Sequence, residues 1–194
     1  MKKTLILASA SPRRREILAL AGYDFKVLPS NAEEKSGGLS ASGLVVANAL
    51  AKARDIFAQN VDSVVLGADT VVALGDEILG KPKDENEAKA MLGRLSGSRH
   101  SVLTGFAVIS EKGELSGYCE TEVKFRRLSQ EEIDAYVATG EPLDKAGSYG
   151  IQEKGCLLAE SVSGDFFNII GLPVAKIYPL LAENGVLPEW FMRN

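Results

Sequence analysis

The apolar run VVLGADTVVAL at residues 64–74 constrains the fold more than any other part of the chain. Its β-branched residues favour a strand, and its lack of polar alternation predicts a strand that is buried on both faces. Such a strand needs a sheet with helices packed against it. Elsewhere in the chain, segments with apolar residues at helical spacing alternate with short strand-like runs. We therefore expect an α/β protein with a mixed sheet and flanking helices.

The composition is that of an ordinary globular chain. Of its 194 residues, 45% are hydrophobic and 25% are charged, and the net charge is −4. This length suits one compact domain over residues 1–194, and the acidic balance argues against a nucleic-acid partner. No segment approaches the roughly 20 apolar residues of a membrane span. Cys119 and Cys156 make no disulfide framework, so we expect them to be reduced and partly buried, as in a cytoplasmic protein.

Asp69 is the carboxylate that interrupts the apolar run. An ionised carboxylate in a buried strand is costly unless it is paired, hydrogen-bonded or bound to metal. The sequence is compatible with two interpretations of this residue. Asp69 is either a strand-end residue that accepts backbone N–H bonds, or a metal ligand or general base. Gly67 and Ala68 leave room for a ligand beside it, which favours the second interpretation.

The segment SASPRRREIL at residues 9–18 predicts an anion site. A serine followed by proline is typical of a helix start. Arg13 and Arg14 would then lie in the first helical turn, where the helix dipole disfavours each cation by about 0.3–1 kcal/mol. A helix start that carries cations is suited to bind phosphate. Lys52 and Lys81 are further candidate cations, although each alone is more typical of a solvent-exposed charge.

Three other features carry weaker signals. Glu33 and Glu34 open a polar loop and could supply oxygen ligands to a hard cation such as Mg²⁺. The glycine-rich stretch DKAGSYGIQEKG would let the backbone approach a ligand, but it matches neither a P-loop nor a dinucleotide-binding fingerprint. His100 is the single histidine of the chain, so multi-histidine metal sites are excluded and a structural role is expected for it.

Several motifs occur together along the chain: LILASASPRRREIL, LGADTVV, GKP, LSG followed by HSVLTG, EPLDKAGSYGIQ and IIGLP. In this order and spacing, the chain resembles the Maf family of nucleotide pyrophosphatases. The likeness runs essentially from end to end, and the first, second and fifth motifs are together highly specific for the family.

The resemblance implies an inosine-triphosphatase-like α/β fold with two lobes around a central cleft, often as a homodimer. It implies hydrolysis of nucleoside triphosphates to the monophosphate and pyrophosphate, with a divalent metal such as Mg²⁺ or Mn²⁺ as cofactor. The catalytic aspartate falls on Asp69, and the metal ligands fall on Asp69 and Glu34, where the family's usual D-I-D-E reads NAEE. The phosphate-binding positions are Ser9, Arg13, Arg14, Lys52 and Lys81.

Branches of the family differ at positions that read the base. Arg13, Thr70 and Gln152 match the branch that acts on dTTP and UTP. The Gln152 amide could pair with the O4 and N3–H edge of uracil or thymine, although an amide that can flip would not by itself exclude cytosine. The alternatives are a pyrophosphatase for 7-methyl-GTP or other modified nucleotides, and a non-catalytic regulator of cell division and septum formation. The expected location is the cytoplasm, with neither nucleic acid nor membrane as partner.

Overall fold

The computed structural model describes residues 3–192. Strands and helices alternate along most of this range. The strands are β1 (Leu5–Leu7), β2 (Phe25–Val27), β3 (Val64–Leu74), β4 (Glu77–Leu79), β5 (Arg99–Ser110), β6 (Gly113–Phe125) and β7 (Ala159–Ser163). The helices are α1 (Pro12–Leu20), α2 (Ala41–Phe57), α3 (Glu85–Leu95), α4 (Gln130–Val137), α5 (Phe166–Ile170) and α6 (Val174–Glu183).

The described strands form one mixed sheet in the order β2-β1-β3-β5-β6-β7, with β4 paired to β3. Strand β1 runs parallel to both neighbours, and Leu5 lies opposite Phe25 in β2 and Val64 in β3. Strand β4 runs antiparallel to β3, and β7 runs antiparallel to β6. The predicted α/β class with a mixed sheet is confirmed. Among residues 3–192, no helix is both long enough and apolar enough to span a membrane.

Local sequence signals place three helix starts. Ser11 caps α1, with Pro12 as the first helical residue, and its hydroxyl accepts a hydrogen bond from the Arg14 backbone N–H at 3.4 Å. Asp84 caps α3, and Ser129 forms a reciprocal capping box with Glu132 at the start of α4. Each cap satisfies N–H groups that would otherwise lack a partner in the first helical turn.

The chain divides into two compact units, in agreement with the expected two lobes. The first unit comprises Met1–Asp69, Thr104–Cys119 and Gly171–Asn194, and the second comprises Thr70–Leu103 and Glu120–Ile170. A single functional domain over residues 1–194 stays a prediction.

In the first unit, helix α2 packs directly on the sheet. Ala49, Ala53 and Ile56 of this helix contact buried side chains of the strands, among them Ile6 and Val65. The close approach depends on glycines in the strands. A Cβ atom at position 67 would lie 2.3 Å from the Ala49 carbonyl oxygen, and one at position 105 would lie 2.3 Å from the Val45 backbone. The helix backbone therefore rests on the strand backbone at these two points.

The core of the second unit surrounds an aromatic cluster. Phe125 is fully buried and packs edge-on against both His100 and Tyr149, with ring centroids 4.9 and 4.7 Å apart. His100 Nε2 and the Tyr149 hydroxyl are 2.8 Å apart. Burial raises the pKa of Tyr149 above its ordinary value, so the hydroxyl stays protonated beside the imidazole. His100 thus has the structural role that its sequence context predicts.

His100 should make the stability of the protein depend on pH. Burial lowers the pKa of His100 from 6.5 to about 4. Between these pH values the unfolded chain binds more protons, so the stabilisation is complete above pH 6.5 and is lost as the pH falls toward 4. The loss should be on the order of 3 kcal/mol in the free energy of unfolding.

Urea denaturation at pH 7 and pH 4 measures this loss of stability. The glutamine of the H100Q variant can still form a hydrogen bond with the Tyr149 hydroxyl but does not titrate, so this variant should lose most of the pH dependence. An unchanged pH dependence would show that His100 is not its source.

One predicted element is wrong. The sequence CLLAESV predicts a strand from Cys156, but residues Lys154–Leu157 form a 3₁₀ turn and β7 begins only at Ala159. Cys156 is exposed instead of partly buried, whereas Cys119 is buried on β6.

Candidate active site

Asp69 lies in the middle of β3 and is 8% exposed. Its partners are two side chains of helix α2. Lys52 Nζ donates to Asp69 Oδ1 at 2.8 Å, and Asn48 Nδ2 donates to Asp69 Oδ2 at 3.0 Å. Asp69 is therefore not at the end of a strand, as one interpretation of the sequence expected. Both of its carboxylate oxygens accept hydrogen bonds from side chains of the first unit. This pairing stabilises a charge that would be costly to bury alone.

Helix geometry and a glycine together bring α2 to Asp69. Asn48 and Lys52 are four residues apart, so they lie on one face of the helix. Gly67 precedes Asp69 by two residues in β3 and therefore faces the same side of the sheet. Because Gly67 has no side chain, α2 can approach closely enough for Lys52 to reach the carboxylate.

Glu34 extends this charge cluster from the loop between β2 and α2. Its Oε1 lies 2.7 Å from Lys52 Nζ, so one ammonium group bridges the carboxylates of Glu34 and Asp69. The Lys52 side chain is only 13% exposed. Asn48 fixes the loop next to Glu34, because it accepts from the Lys35 backbone N–H at 2.9 Å and donates to the Lys35 carbonyl oxygen at 3.1 Å.

Arg14 is held at the start of α1. Its Nη1 donates to Ser9 Oγ at 3.0 Å, and its Nε donates to the Gly171 carbonyl oxygen at 2.9 Å. Burial lowers the pKa of Arg14, and the negative charge of Asp69 acts against this effect. An immobilised guanidinium beside a helix start is well suited to bind the oxygens of a phosphate group.

The first unit therefore brings together most of the residues that the sequence singles out. Arg14 contacts Ser9 directly, and Lys52 contacts both Glu34 and Asp69. The charges of Asp69, Arg13 and Glu34, in that order of size, also act on Arg14. The arrangement combines a buried carboxylate with several cations within one compact unit.

Thr70, Lys81 and Gln152 belong to the second unit. Thr70 is partly buried, and as the next residue of β3 it points to the opposite face of the strand from Asp69. Lys81 is exposed just after β4, and Gln152 is exposed in the loop before β7. Their roles in binding stay predictions.

The segments that carry Lys81 and Gln152 are joined by a backbone hydrogen bond. The Gly147 N–H donates to the carbonyl oxygen of Gly80, the residue before Lys81, at 3.1 Å. Gly147 has a φ of +67°, and a Cβ atom at this position would lie 2.8 Å from a methyl group of Val72. Both the left-handed backbone and the close contact therefore require glycine here.

The described residues contain no group of three or more His, Cys, Asp and Glu side chains placed to hold a metal ion. The carboxylates of Glu34 and Asp69 nevertheless converge on one cation, the ammonium of Lys52. Magnesium usually binds one or two carboxylates together with water and substrate phosphate oxygens. The two side chains therefore fit the donor set expected for a divalent metal.

Comparison with known proteins identifies the family. The Maf-like protein family matches residues 4–184. The chain belongs to the Maf family. Its relatives include two proteins named dTTP/UTP pyrophosphatase. The first, from Bacillus cereus strain AH820, is 49% identical over 95% of this chain and 97% of the relative. The second, from Bacillus pumilus strain SAFR-032, is 50% identical over 95% of this chain and 98% of the relative.

Among solved structures, this Maf protein matches a nucleoside-triphosphatase, described as a dITP/XTP pyrophosphatase, from Mycobacterium abscessus. The match has a TM-score of 0.42 and 15% identity, and it covers 71% of this chain and 95% of the other. This likeness is too weak to bear on fold or function.

Two residues of this Maf site are absent from the sequence prediction. Asn48 interrupts the apolar face that Leu44, Val45 and Ala49 form on α2, and a polar residue on such a face is a signal that it needs a buried partner. Gly171 contributes only its carbonyl oxygen, in the motif IIGLP. Backbone groups carry no side-chain signature, so this contact could not be predicted from residue type.

Proposed function

We propose that the chain hydrolyses dTTP and UTP to the corresponding monophosphate and pyrophosphate. The observation that carries this proposal is the buried Asp69 carboxylate, held by Lys52 and Asn48 in a cluster with the arginines of α1. The names of relatives that are 49–50% identical over 95% of the chain support the same substrates.

The residues divide into two roles. Arg13, Arg14 and Lys52, with Ser9 as a hydrogen-bonding partner, neutralise and orient the triphosphate, and Lys81 of the second unit contributes a further positive charge. Asp69 orients a water molecule and accepts its proton as the water attacks the α-phosphorus. The leaving pyrophosphate keeps the bridging oxygen. Such a site accelerates the reaction mainly by positioning and by stabilising the developing negative charge.

Asp69 and Glu34 would hold a divalent cation, Mg²⁺ or Mn²⁺, in this proposal. When bound, the cation supplies Lewis-acid stabilisation to the phosphate oxygens. Lys52, which bridges these carboxylates at 2.7 and 2.8 Å, would then turn its ammonium group to the substrate phosphates.

Base recognition is assigned to Arg13, Thr70 and Gln152. The amide of Gln152 is proposed to pair with the O4 and N3–H edge of uracil or thymine. A 5-methyl group changes binding by only about 1–3 kcal/mol, so one site can accept both dTTP and UTP. Modified pyrimidine nucleotides would present the same edge.

A nucleotide panel tests the proposal. The purified protein, with Mg²⁺ or Mn²⁺, is incubated with UTP, dTTP, CTP, GTP and 7-methyl-GTP, and pyrophosphate release is measured. UTP and dTTP should give the highest kcat/KM, and EDTA should abolish turnover. Turnover of 7-methyl-GTP without UTP would replace the substrate assignment. Absence of pyrophosphate release from every nucleotide would leave a non-catalytic regulator as the function.

The cytoplasmic location and the possible homodimer expected from the sequence stay predictions. Light scattering coupled to size-exclusion chromatography measures the oligomeric state directly.

A further inference from the structure

The loop that carries Gln152 is fixed by a buried carboxylate. The Glu141 side chain is only 4% exposed, and its oxygens accept hydrogen bonds from the backbone N–H groups of Lys154 and Gly155 at 3.2 and 3.1 Å. The Tyr136 hydroxyl donates to Glu141 Oε1 at 2.7 Å and accepts from the Gly150 N–H at 3.1 Å. The backbone is thus held on both sides of residues 151–153.

Lys145 is a second buried charge beneath the same loop. Its side chain is 7% exposed, and its ammonium group donates to the Glu141 carbonyl oxygen at 2.8 Å. The same nitrogen lies 2.9 Å from Asp144 Oδ1 and 3.4 Å from Glu153 Oε2. A buried, well-anchored lysine therefore restrains the carboxylate of Glu153.

The second oxygen of Glu153 reaches Gln152. Gln152 Nε2 donates to Glu153 Oε1 at 3.2 Å. This contact distinguishes the two ends of the amide, which otherwise differ little in shape. In the flipped amide, the carbonyl oxygen of Gln152 would face a carboxylate oxygen, and two acceptors in contact repel one another.

The orientation of the Gln152 amide decides which pyrimidine base it can pair with. Uracil and thymine present a donor at N3–H and an acceptor at O4, so the amide must offer its oxygen to N3 and its nitrogen to O4. Cytosine presents an acceptor at N3 and a donor at its 4-amino group, and it needs the flipped amide. A contact that fixes the amide therefore discriminates between these bases.

We propose that Glu153, anchored by Lys145, is a positioning residue that sets the orientation of the Gln152 amide and so selects uracil and thymine over cytosine. The inference rests on the proposed function, because it assigns the base contact to Gln152. The residues that carry it are all on one loop of the second unit.

The E153A variant tests the inference. The kcat/KM ratio of UTP to CTP should fall about five- to tenfold, the range expected when one hydrogen bond is lost, because CTP turnover rises while UTP turnover falls. E153Q retains an acceptor oxygen of the same reach and should preserve more of the ratio than E153A. The control is E160A, which removes another exposed carboxylate of this unit, one that lies 2.6 Å from Lys124 Nζ. E160A should leave the ratio unchanged.

The outcomes separate the two proposals. If wild-type protein releases no pyrophosphate from UTP, the proposed function fails, and this inference fails with it. If wild type prefers UTP and E153A keeps the same ratio with the same melting temperature, the inference alone is overturned. Equal turnover of UTP and CTP by wild type also overturns it, because no selectivity then exists for Glu153 to set. A purely structural role for Glu153 would lower both activities together and leave their ratio unchanged.

Discussion

Replacement of Asp69 by asparagine should lower kcat/KM for UTP by about 10²–10⁴-fold, the range that a positioned general base contributes. Asparagine has nearly the same shape and can still accept from Asn48, but it cannot take a proton or bind a cation strongly. The loss should fall mainly on kcat, because Arg14 and Lys52 remain available to bind the triphosphate. Steady-state pyrophosphate release with UTP at saturating Mg²⁺ measures both constants.

The control for D69N is D134N. Asp134 is a half-exposed carboxylate on α4, 2.7 Å from Lys89 Nζ, and it lies outside the candidate site. This variant should retain wild-type kcat and KM. Full activity in D69N with an unchanged circular dichroism spectrum would remove Asp69 from the mechanism and favour a non-catalytic function.

Replacement of Gly67 by alanine should destabilise the protein strongly. The added Cβ atom would lie 2.3 Å from the Ala49 carbonyl oxygen and 3.0 Å from the Ala53 Cβ atom. Neither the β3 backbone nor the α2 backbone can move without disturbing the buried core. Overpacking of this kind typically costs about 1–3 kcal/mol, and rigid backbone on both sides places G67A at the upper end or beyond. Urea denaturation measures the loss, and activity should fall too because α2 carries Lys52 and Asn48.

The matched control is G93A. Gly93 is an exposed residue in α3, and a Cβ atom there would meet no atom within 4 Å. Since alanine favours helix more than glycine does, the free energy of unfolding of this variant should rise by about 0.5–1 kcal/mol. If G67A lost no more stability than G93A, the close packing of α2 on β3 would be refuted.

Local signals allowed much of the fold to be predicted. The caps at Ser11, Asp84 and Ser129 depend on contacts within four residues, and each has a signal in the local sequence. The burial of β3 also follows from its own composition. These features require no knowledge of distant parts of the chain, so residue type and spacing suffice.

Contacts between distant segments could not be predicted in the same way. The pairing of Asp69 with Asn48 and of Arg14 with the Gly171 carbonyl oxygen depends on how α1 and α2 pack on the sheet. The apolar residues Leu157 and Leu158 favour a strand locally, yet Glu141 binds the backbone of Lys154 and Gly155 and bends the chain into a turn. In the first case the contact depends on packing between distant segments, and in the second a tertiary hydrogen bond overrides local propensity.

The hydrogen bond between Gly147 and Gly80 has a consequence for how the second unit responds to a ligand. In the proposed function Lys81 binds a phosphate group and Gln152 reads the base, and this hydrogen bond joins the two segments that carry them, with Gln152 five residues beyond Gly147. Under those proposed roles a displacement of Lys81 reaches the loop of Gln152, so we expect a substrate with a poorly matched base to be held less firmly by its phosphates as well.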